Sequence, residues 1–176
     1  MYKFLGANSA EFYEQVQPVW QWNSRYWEQV ALLNFAKFTT ADDPIVRVEA
    51  IEKAVQHARH AVFIEHHPFP LSTLGKVLMA YMLVPGVNMA SIYSDAFERL
   101  KQALEREALW KRHAVHPYAF LFSGTISYMD HGGVLSAYQI DGLESFISVV
   151  NRRFPRDGEI QELTGTLMGR LRALRT

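Results

Sequence analysis

The stretch that decides the fold is His67-Pro-Phe-Pro-Leu-Ser-Thr-Leu-Gly75, which returns 49 residues later as His116-Pro-Tyr-Ala-Phe-Leu-Phe-Ser-Gly124. Histidine, proline, an aromatic residue and the final glycine hold the same positions in both copies. Proline ends the helix before it, and a glycine inside a helix leaves room for a neighbouring segment. The repeat therefore predicts antiparallel helix pairs stacked closely on one another. A third and poorer copy runs from Phe154-Pro155 to Thr164-Gly165.

Apolar residues elsewhere in the chain recur at steps of three and four, the spacing of an amphipathic helix, and strand-like alternation is nearly absent. Start and stop signals divide the chain into about eight helices. We expect them to span Ser9 (with Asn8 as a second capping residue) to Trp20, Ser24 to Phe38, Pro44 to His66, Ser72 to Leu83, the residues after the turn Val84–Asn88 to Trp110, Pro117 to Asp130, Ser136 to Phe154 and Asp157 to Leu174. The sequence thus predicts an all-α fold in one helical-repeat domain, residues 1–176.

Three local features refine this expectation. Pro18 is expected to bend or end the first helix. The third helix carries a row of small residues that would let a neighbouring helix approach closely, namely Ala50, Ala54, Ala58 and Ala61. The last helix is expected to carry five apolar residues, namely Ile160, Leu163, Leu167, Leu171 and Leu174.

Composition bounds the function. The 176 residues are 49% hydrophobic and carry 18 basic and 18 acidic side chains, a balance that argues against a protein devoted to coating nucleic acid or an anionic membrane. The absence of cysteine excludes disulfides, a cysteine nucleophile and cysteine-bound metal centres.

No membrane segment is expected. The first residues carry one charge and no long apolar stretch, and the most apolar run, residues 77–84, meets Pro85-Gly86 directly. A membrane-spanning helix needs about 20 such residues. We therefore expect no membrane association and a cytoplasmic location.

The seven histidines suggest a metal site as one alternative. His57 and His60 are three residues apart, as are His113 and His116, while zinc needs three or four converging ligands. The other interpretation places His66, His67 and His116 at or just beyond helix C-termini, where positive charge is favourable. We expect no metal, although an all-α enzyme or metal-binding protein that uses these histidines remains the main rival.

Catalytic motifs are missing. Residues 123–125, Ser-Gly-Thr, lack the frame of a nucleophile elbow, and Gly132-Gly133 lacks the lysine and helix start of a phosphate-binding loop. The paired acids, such as Asp42-Asp43, are typical of helix caps rather than of general acid–base catalysis. The sequence predicts no enzymatic activity and no cofactor.

Two groups of residues are candidates for protein binding. The first is the cluster Trp20, Trp22, Arg25 and Tyr26, because Trp, Tyr and Arg dominate binding hot spots. The competing interpretation is that Trp27, together with either Trp20 or Trp22, belongs to the core between helices.

The second group is the arginine-rich end, represented by Arg152, Arg153 and Arg156. From residue 152 onward the chain has six arginines and three acidic residues. Such a surface is often simply solvated, and it also leaves weak nucleic-acid binding open as an alternative. Interleaved exposed aromatic residues, on which single-stranded nucleic acid stacks, are missing, so we do not expect nucleic acid as the main partner.

The repeat resembles a tetratricopeptide-type array. Leu74-Gly75 followed by Leu78 is similar to that family's Leu-Gly-x-x-aromatic spacing, and Ala54, Ala58 and Ala61 before Pro68 are similar to its second helix. The period of 49 is longer than the usual period of about 34, so the chain resembles an elongated variant. The resemblance implies an α-solenoid of antiparallel helix hairpins.

The run from Asn23 to Leu33, the long helix after it and the run from Pro68 to Leu78 also resemble the C-terminal helical repeats of bacterial antiphage proteins. In those proteins a sirtuin-like or other effector domain precedes a STAND-type nucleoside-triphosphatase. The resemblance covers Asn23 to Phe154. It implies a sensor that binds a protein partner, either a phage component or an effector domain, and that has no catalytic residues of its own.

Overall fold

Local start and stop signals set the helices. The computed structural model describes residues 9–106 and 115–174, with side chains from residue 15 onward, and regular structure in these ranges is entirely helical. The helices are α1 (Ser9–Trp20), α2 (Ser24–Thr40), α3 (Pro44–Ile64), α4 (Pro68–Tyr81), α5 (Met89–Glu105), α6 (Val115–Asp130), α7 (Ala137–Arg153) and α8 (Gly158–Ala173). The predicted all-α class is confirmed.

Side-chain caps explain most helix starts. Asn23, Asp43, Asn88 and Asp157 each accept a hydrogen bond from a backbone N–H in the first turn of the helix that follows. Ser136 does the same for α7 and forms a reciprocal capping box with Gln139. These bonds satisfy donors that a helix cannot satisfy internally.

The prediction that α4 begins at Ser72 is wrong. The helix begins at Pro68, and His67 is its cap, with Nδ1 accepting a hydrogen bond from the Phe69 backbone N–H at 3.4 Å. Proline is tolerated in the first turn because the N–H that it lacks has no partner there in any helix. For the same reason α6 starts at Val115, two residues before Pro117.

Other boundaries differ by smaller amounts. Pro18 lies inside α1, which continues to Trp20. The long helix α3 ends at Ile64 rather than at His66. The expected cap at Asn8 and the expected end of the fifth helix at Trp110 lie outside the described residues.

A connected cluster of buried apolar side chains extends from Ala31 in α2 to Leu171 in α8. The alanine row of α3 is fully inside, as predicted, and so are Ile160, Leu167 and Leu171 of α8. Leu163 is half-buried. Leu174 is 52% exposed, because it follows the last turn of α8.

The glycines of the two strong repeat copies mark close approaches between helices. A Cβ atom at Gly75 would lie 2.8 Å from Cδ2 of Leu100 in α5, and one at Gly124 would lie 2.7 Å from Cγ of Met79 in α4. Gly165 of the poorer third copy meets nothing within 4 Å. Only the first two copies therefore share the close packing.

Each helix contacts helices near it in the sequence. Consecutive helices pack together from α1 to α8, and the even-numbered helices also pack in the order α2, α4, α6 and α8. Polar side chains join several of these helices. Arg59 of α3 pairs with Asp95 of α5 at 3.2 Å, and Tyr93 of α5 shares a buried hydrogen bond of 3.0 Å with Thr125 of α6.

Among the described residues, none of the helices combines the length and the apolar character needed to span a bilayer.

The glycine contacts predict the result of three substitutions. Gly75→Ala and Gly124→Ala should lower the free energy of unfolding by about 1–2 kcal/mol, since overpacking outweighs the gain in helix propensity. Gly165→Ala, the matched control, should be neutral or stabilising by up to about 1 kcal/mol. Urea unfolding followed by circular dichroism measures all three. A Gly75→Ala variant at least as stable as the wild type would contradict the close approach.

Candidate protein-binding surfaces

The end of α1 and the turn that follows it expose large apolar side chains. Trp22 is 79% exposed, Trp20 is 49% exposed and Val19 is 77% exposed. We call these three residues the aromatic turn. They stay at the surface because α1 makes its main contact with α2 alone among the described helices. The expectation that either Trp20 or Trp22 lies in the core is wrong.

Trp27 occupies the space between α2 and α3. Its ring stacks on His57 with centroids 5.2 Å apart and meets His60 edge-on at 4.6 Å. Its Nε1–H donates a hydrogen bond of 2.8 Å to the Gln21 carbonyl oxygen in the adjoining turn. His60 in turn stacks on Phe63, which is 84% exposed. Trp27 therefore packs between the two helices, as expected, but it is half-buried and not part of the buried core.

The histidines serve packing and capping in the described part of the chain. Burial lowers the pKa of His57 below 6.5, and the nearby His60 and Lys53 lower it further. No group of three or more histidine or acidic residues there is arranged to hold a metal ion. His113 lies outside the described residues.

His67 lies just beyond the end of α3, as expected, but both it and His116 also lie at the start of a helix. His67 is the N-cap of α4, and His116 is the second residue of α6. Both therefore lie at the positive end of a helix dipole, and the repeated His-Pro pair marks helix starts. His66 also lies just beyond the end of α3, and its carbonyl oxygen accepts a hydrogen bond from Arg106.

Tyr26 and Arg25 point to different environments. Tyr26 is 7% exposed and belongs to the packed interior. Arg25 is exposed, pairs with Glu28 at 3.4 Å and holds its guanidinium carbon 5.8 Å from the ring centre of Phe69. Of the predicted cluster, Trp20, Trp22 and Arg25 are therefore at the surface.

Glu28 is a buried acid that the sequence did not reveal. Glu28 is 6% exposed, and its Oε1 accepts a hydrogen bond of 3.0 Å from the Thr73 hydroxyl of α4. Burial raises the pKa of Glu28 above its ordinary value of 4.5, while the Thr73 hydrogen bond and the Arg25 charge oppose the rise. It lies in a cleft of about 160 Å³ lined by Ser24, Arg25, Glu28, Glu65, His67, Phe69 and Pro70.

The arginine-rich end is exposed but partly compensated. Arg152 and Arg153 lie in the last turn of α7, where positive charge is favourable, and Arg156 lies in the turn that follows. The Arg153 guanidinium carbon is 5.5 Å from the ring centre of Phe154. Arg170 pairs with Asp130, which reduces the local excess of positive charge.

Lys76 of α4 lies between two aromatic rings from other helices. Its Nζ is 4.6 Å from the ring centre of Phe35 in α2 and 5.1 Å from that of Phe120 in α6. Burial lowers the pKa of Lys76 below 10.5. No carboxylate among the described residues pairs with it.

A groove of about 510 Å³ lies between α6 and α8, and Phe120 is one of the residues that line it. We call it the α6–α8 groove. It is lined by Ala119, Phe120, Ser123, Ile126, Glu159, Glu162, Leu163 and Thr166. Glu159 and Glu162 are exposed, and neither forms an ion pair with another described residue. Periodicity alone missed this site, because it joins residues far apart in the sequence.

Glu28 predicts how stability depends on pH. Its raised pKa means that the folded state holds the proton more tightly, so its stability contribution is present below pH 4.5 and is lost as pH rises through the folded pKa. Glu28→Gln keeps a hydrogen-bonding group without the charge. It should match the wild type near pH 4 and melt a few degrees higher at pH 7 to 8.

Thermal melts from pH 4 to pH 8 test this expectation, with Glu52→Gln, an exposed acid on α3, as the control. The lost pairing with Arg25 should matter little, because Arg25 is largely exposed. The expectation is contradicted if raising the pH from 4 to 8 lowers the melting temperature of Glu28→Gln more than that of the wild type. That result would show that the carboxylate is not desolvated.

Comparison of the chain with protein-family models, with curated proteins and with solved structures finds no match.

Proposed function

We propose that this chain is a tetratricopeptide-like α-solenoid that recognises a protein partner. The observation that supports this proposal is the pattern of contacts between helices. The helices α2, α4, α6 and α8 contact one another in that order, and each odd-numbered helix contacts its neighbours in the sequence. Stacked helix pairs of this kind form extended binding surfaces whose shape is set by their packing. The α6–α8 groove lies within that row.

The exposed residues also fit protein recognition. The aromatic turn contributes Trp20 and Trp22, and Arg25 lies on the next helix turn. Trp and Arg are the residue types that most often dominate protein interfaces. Nucleic-acid binding through Arg152, Arg153 and Arg156 is a weaker candidate, because Phe154 is half-buried and already contacts Arg153.

We further propose a role in bacterial antiphage defence, with a phage component or an effector domain as the partner. The support is the resemblance of residues 23–154 to the sensor repeats of antiphage proteins. In this role the chain acts in the cytoplasm as a non-enzymatic sensor, without a cofactor or a metal.

Site-specific photo-crosslinking tests protein recognition. A photoreactive amino acid is placed at Ser123 in the α6–α8 groove, at Trp22 in the aromatic turn or at Arg152, with exposed Gln56 on α3 as the control. After irradiation in extract of the source organism, at least one of the three surfaces should yield a protein adduct of defined mass.

The control at Gln56 should give no such adduct. Adducts with nucleic acid alone, or no protein adduct from any of the three surfaces, would contradict protein recognition. Zinc that co-purifies with the chain would favour the rival metal-binding function.

The defence role has its own test in the source bacterium. Deleting the gene should raise the plating efficiency of infecting phage, and wild-type complementation should lower it again. Complementation with a chain carrying Trp20→Ala and Trp22→Ala, or one altered in the α6–α8 groove, should identify the surface that senses the infection. An unchanged plating efficiency across a broad phage panel would contradict the defence role.

A further inference from the structure

We propose that the α6–α8 groove, together with Lys76, binds an extended protein segment in which apolar residues separate an acidic residue from a basic one. This inference rests on the proposed protein-recognition function and names both the surface and the chemistry of its partner. It follows from three features of the described residues: an unpaired ammonium, an apolar groove and two unpaired carboxylates.

The ammonium is the first feature. Lys76 Nζ lies between the rings of Phe35 and Phe120, and burial has removed part of its hydration. Aromatic ring faces stabilise a cation but do not neutralise its charge. Since no described carboxylate pairs with it, an acidic side chain of a partner finds a partly desolvated cation already held in place. Charge-assisted bonds in such surroundings are among the stronger polar contacts.

The groove is the second feature, and Phe120 connects it to the ammonium. One side of Phe120 faces Lys76, while the ring also lines the groove with Ile126 and Leu163. These half-buried apolar side chains offer a surface for the apolar residues of a partner. The Ser123 hydroxyl, which also lines the groove, donates a hydrogen bond to the Phe120 carbonyl oxygen of its own helix.

The carboxylates are the third feature. Glu159 and Glu162 line the α8 side of the same groove and lack ion-pair partners among the described residues. The binding surface of this chain is therefore positive at α4, where Lys76 lies, and negative at α8. The complementary ligand has the reverse order, with its acid over Lys76 and its base beside Glu159 and Glu162.

We take the segment as extended, because an extended chain joins the two charged ends of the surface with the fewest residues. Packed helices lie about 8–10 Å apart. Crossing from α4 to α8 covers two helix spacings, or about 16–20 Å. An extended chain rises about 3.3 Å per residue, so about five or six residues separate the acid from the base.

Selection from a library of random dodecapeptides, followed by binding measurements on the enriched peptides, tests this inference. Enriched sequences should share an acidic and a basic residue that flank apolar residues at this spacing. Lys76→Met should weaken their binding about tenfold, as should Glu159→Gln combined with Glu162→Gln.

Matched control substitutions on exposed α3 residues, Lys53→Met and Glu52→Gln, should leave binding unchanged. The two groove glutamates are exposed, so their variant keeps the fold even if Lys76→Met does not. Peptides with the order of charges reversed should bind more weakly than their parents.

Failure to enrich this pattern, or binding that is unaffected by the groove variants, would overturn the inference. Crosslinking at Trp22 or Arg152 but not at Ser123 would also overturn it while leaving protein recognition intact. Absence of protein crosslinks at all three positions would contradict the function itself, so the two failures are distinguishable.

Discussion

The stacking depends on two places where a helix has no side chain. At Gly75 the Leu100 side chain of α5 occupies the space of a missing Cβ atom, and at Gly124 the Met79 side chain of α4 does the same. These contacts fix the separation of α4 from α5 and of α4 from α6. The relation of Lys76 to Phe120, and therefore the entrance to the α6–α8 groove, follows from the second contact.

Buried polar groups restrict how these helices can slide past each other. Thr73 of α4 donates to Glu28 of α2, and Tyr93 of α5 bonds to Thr125 of α6. A buried polar group left without its partner costs about 1–3 kcal/mol, so each pair favours one register. The apolar contacts thus supply the cohesion of the stack, while the polar pairs and the glycines select one arrangement of it.

Helix caps could be predicted from the sequence, whereas contacts between residues far apart in the sequence could not. Asp43-Pro44 and Asp157 marked helix starts correctly because a cap acts within one turn. Ser72 was a wrong start, since His67 and Pro68 can open a helix as well as end one. Sequence position alone did not distinguish Gly124, which meets Met79, from Gly165, which meets nothing.

The same limit applies to the surfaces. Composition singled out Trp20, Trp22 and Arg25, which are exposed, but it also selected Tyr26, which is buried. The site formed by Lys76 and Phe120 escaped notice because no periodic pattern within one helix reports a contact between two helices. Solution NMR tests the central claim most directly: nuclear Overhauser effects should join the Leu100 methyls to the Gly75 α-protons and the Met79 side chain to the Gly124 α-protons. Their absence in the folded chain, with α4 contacting other helices instead, would contradict the account.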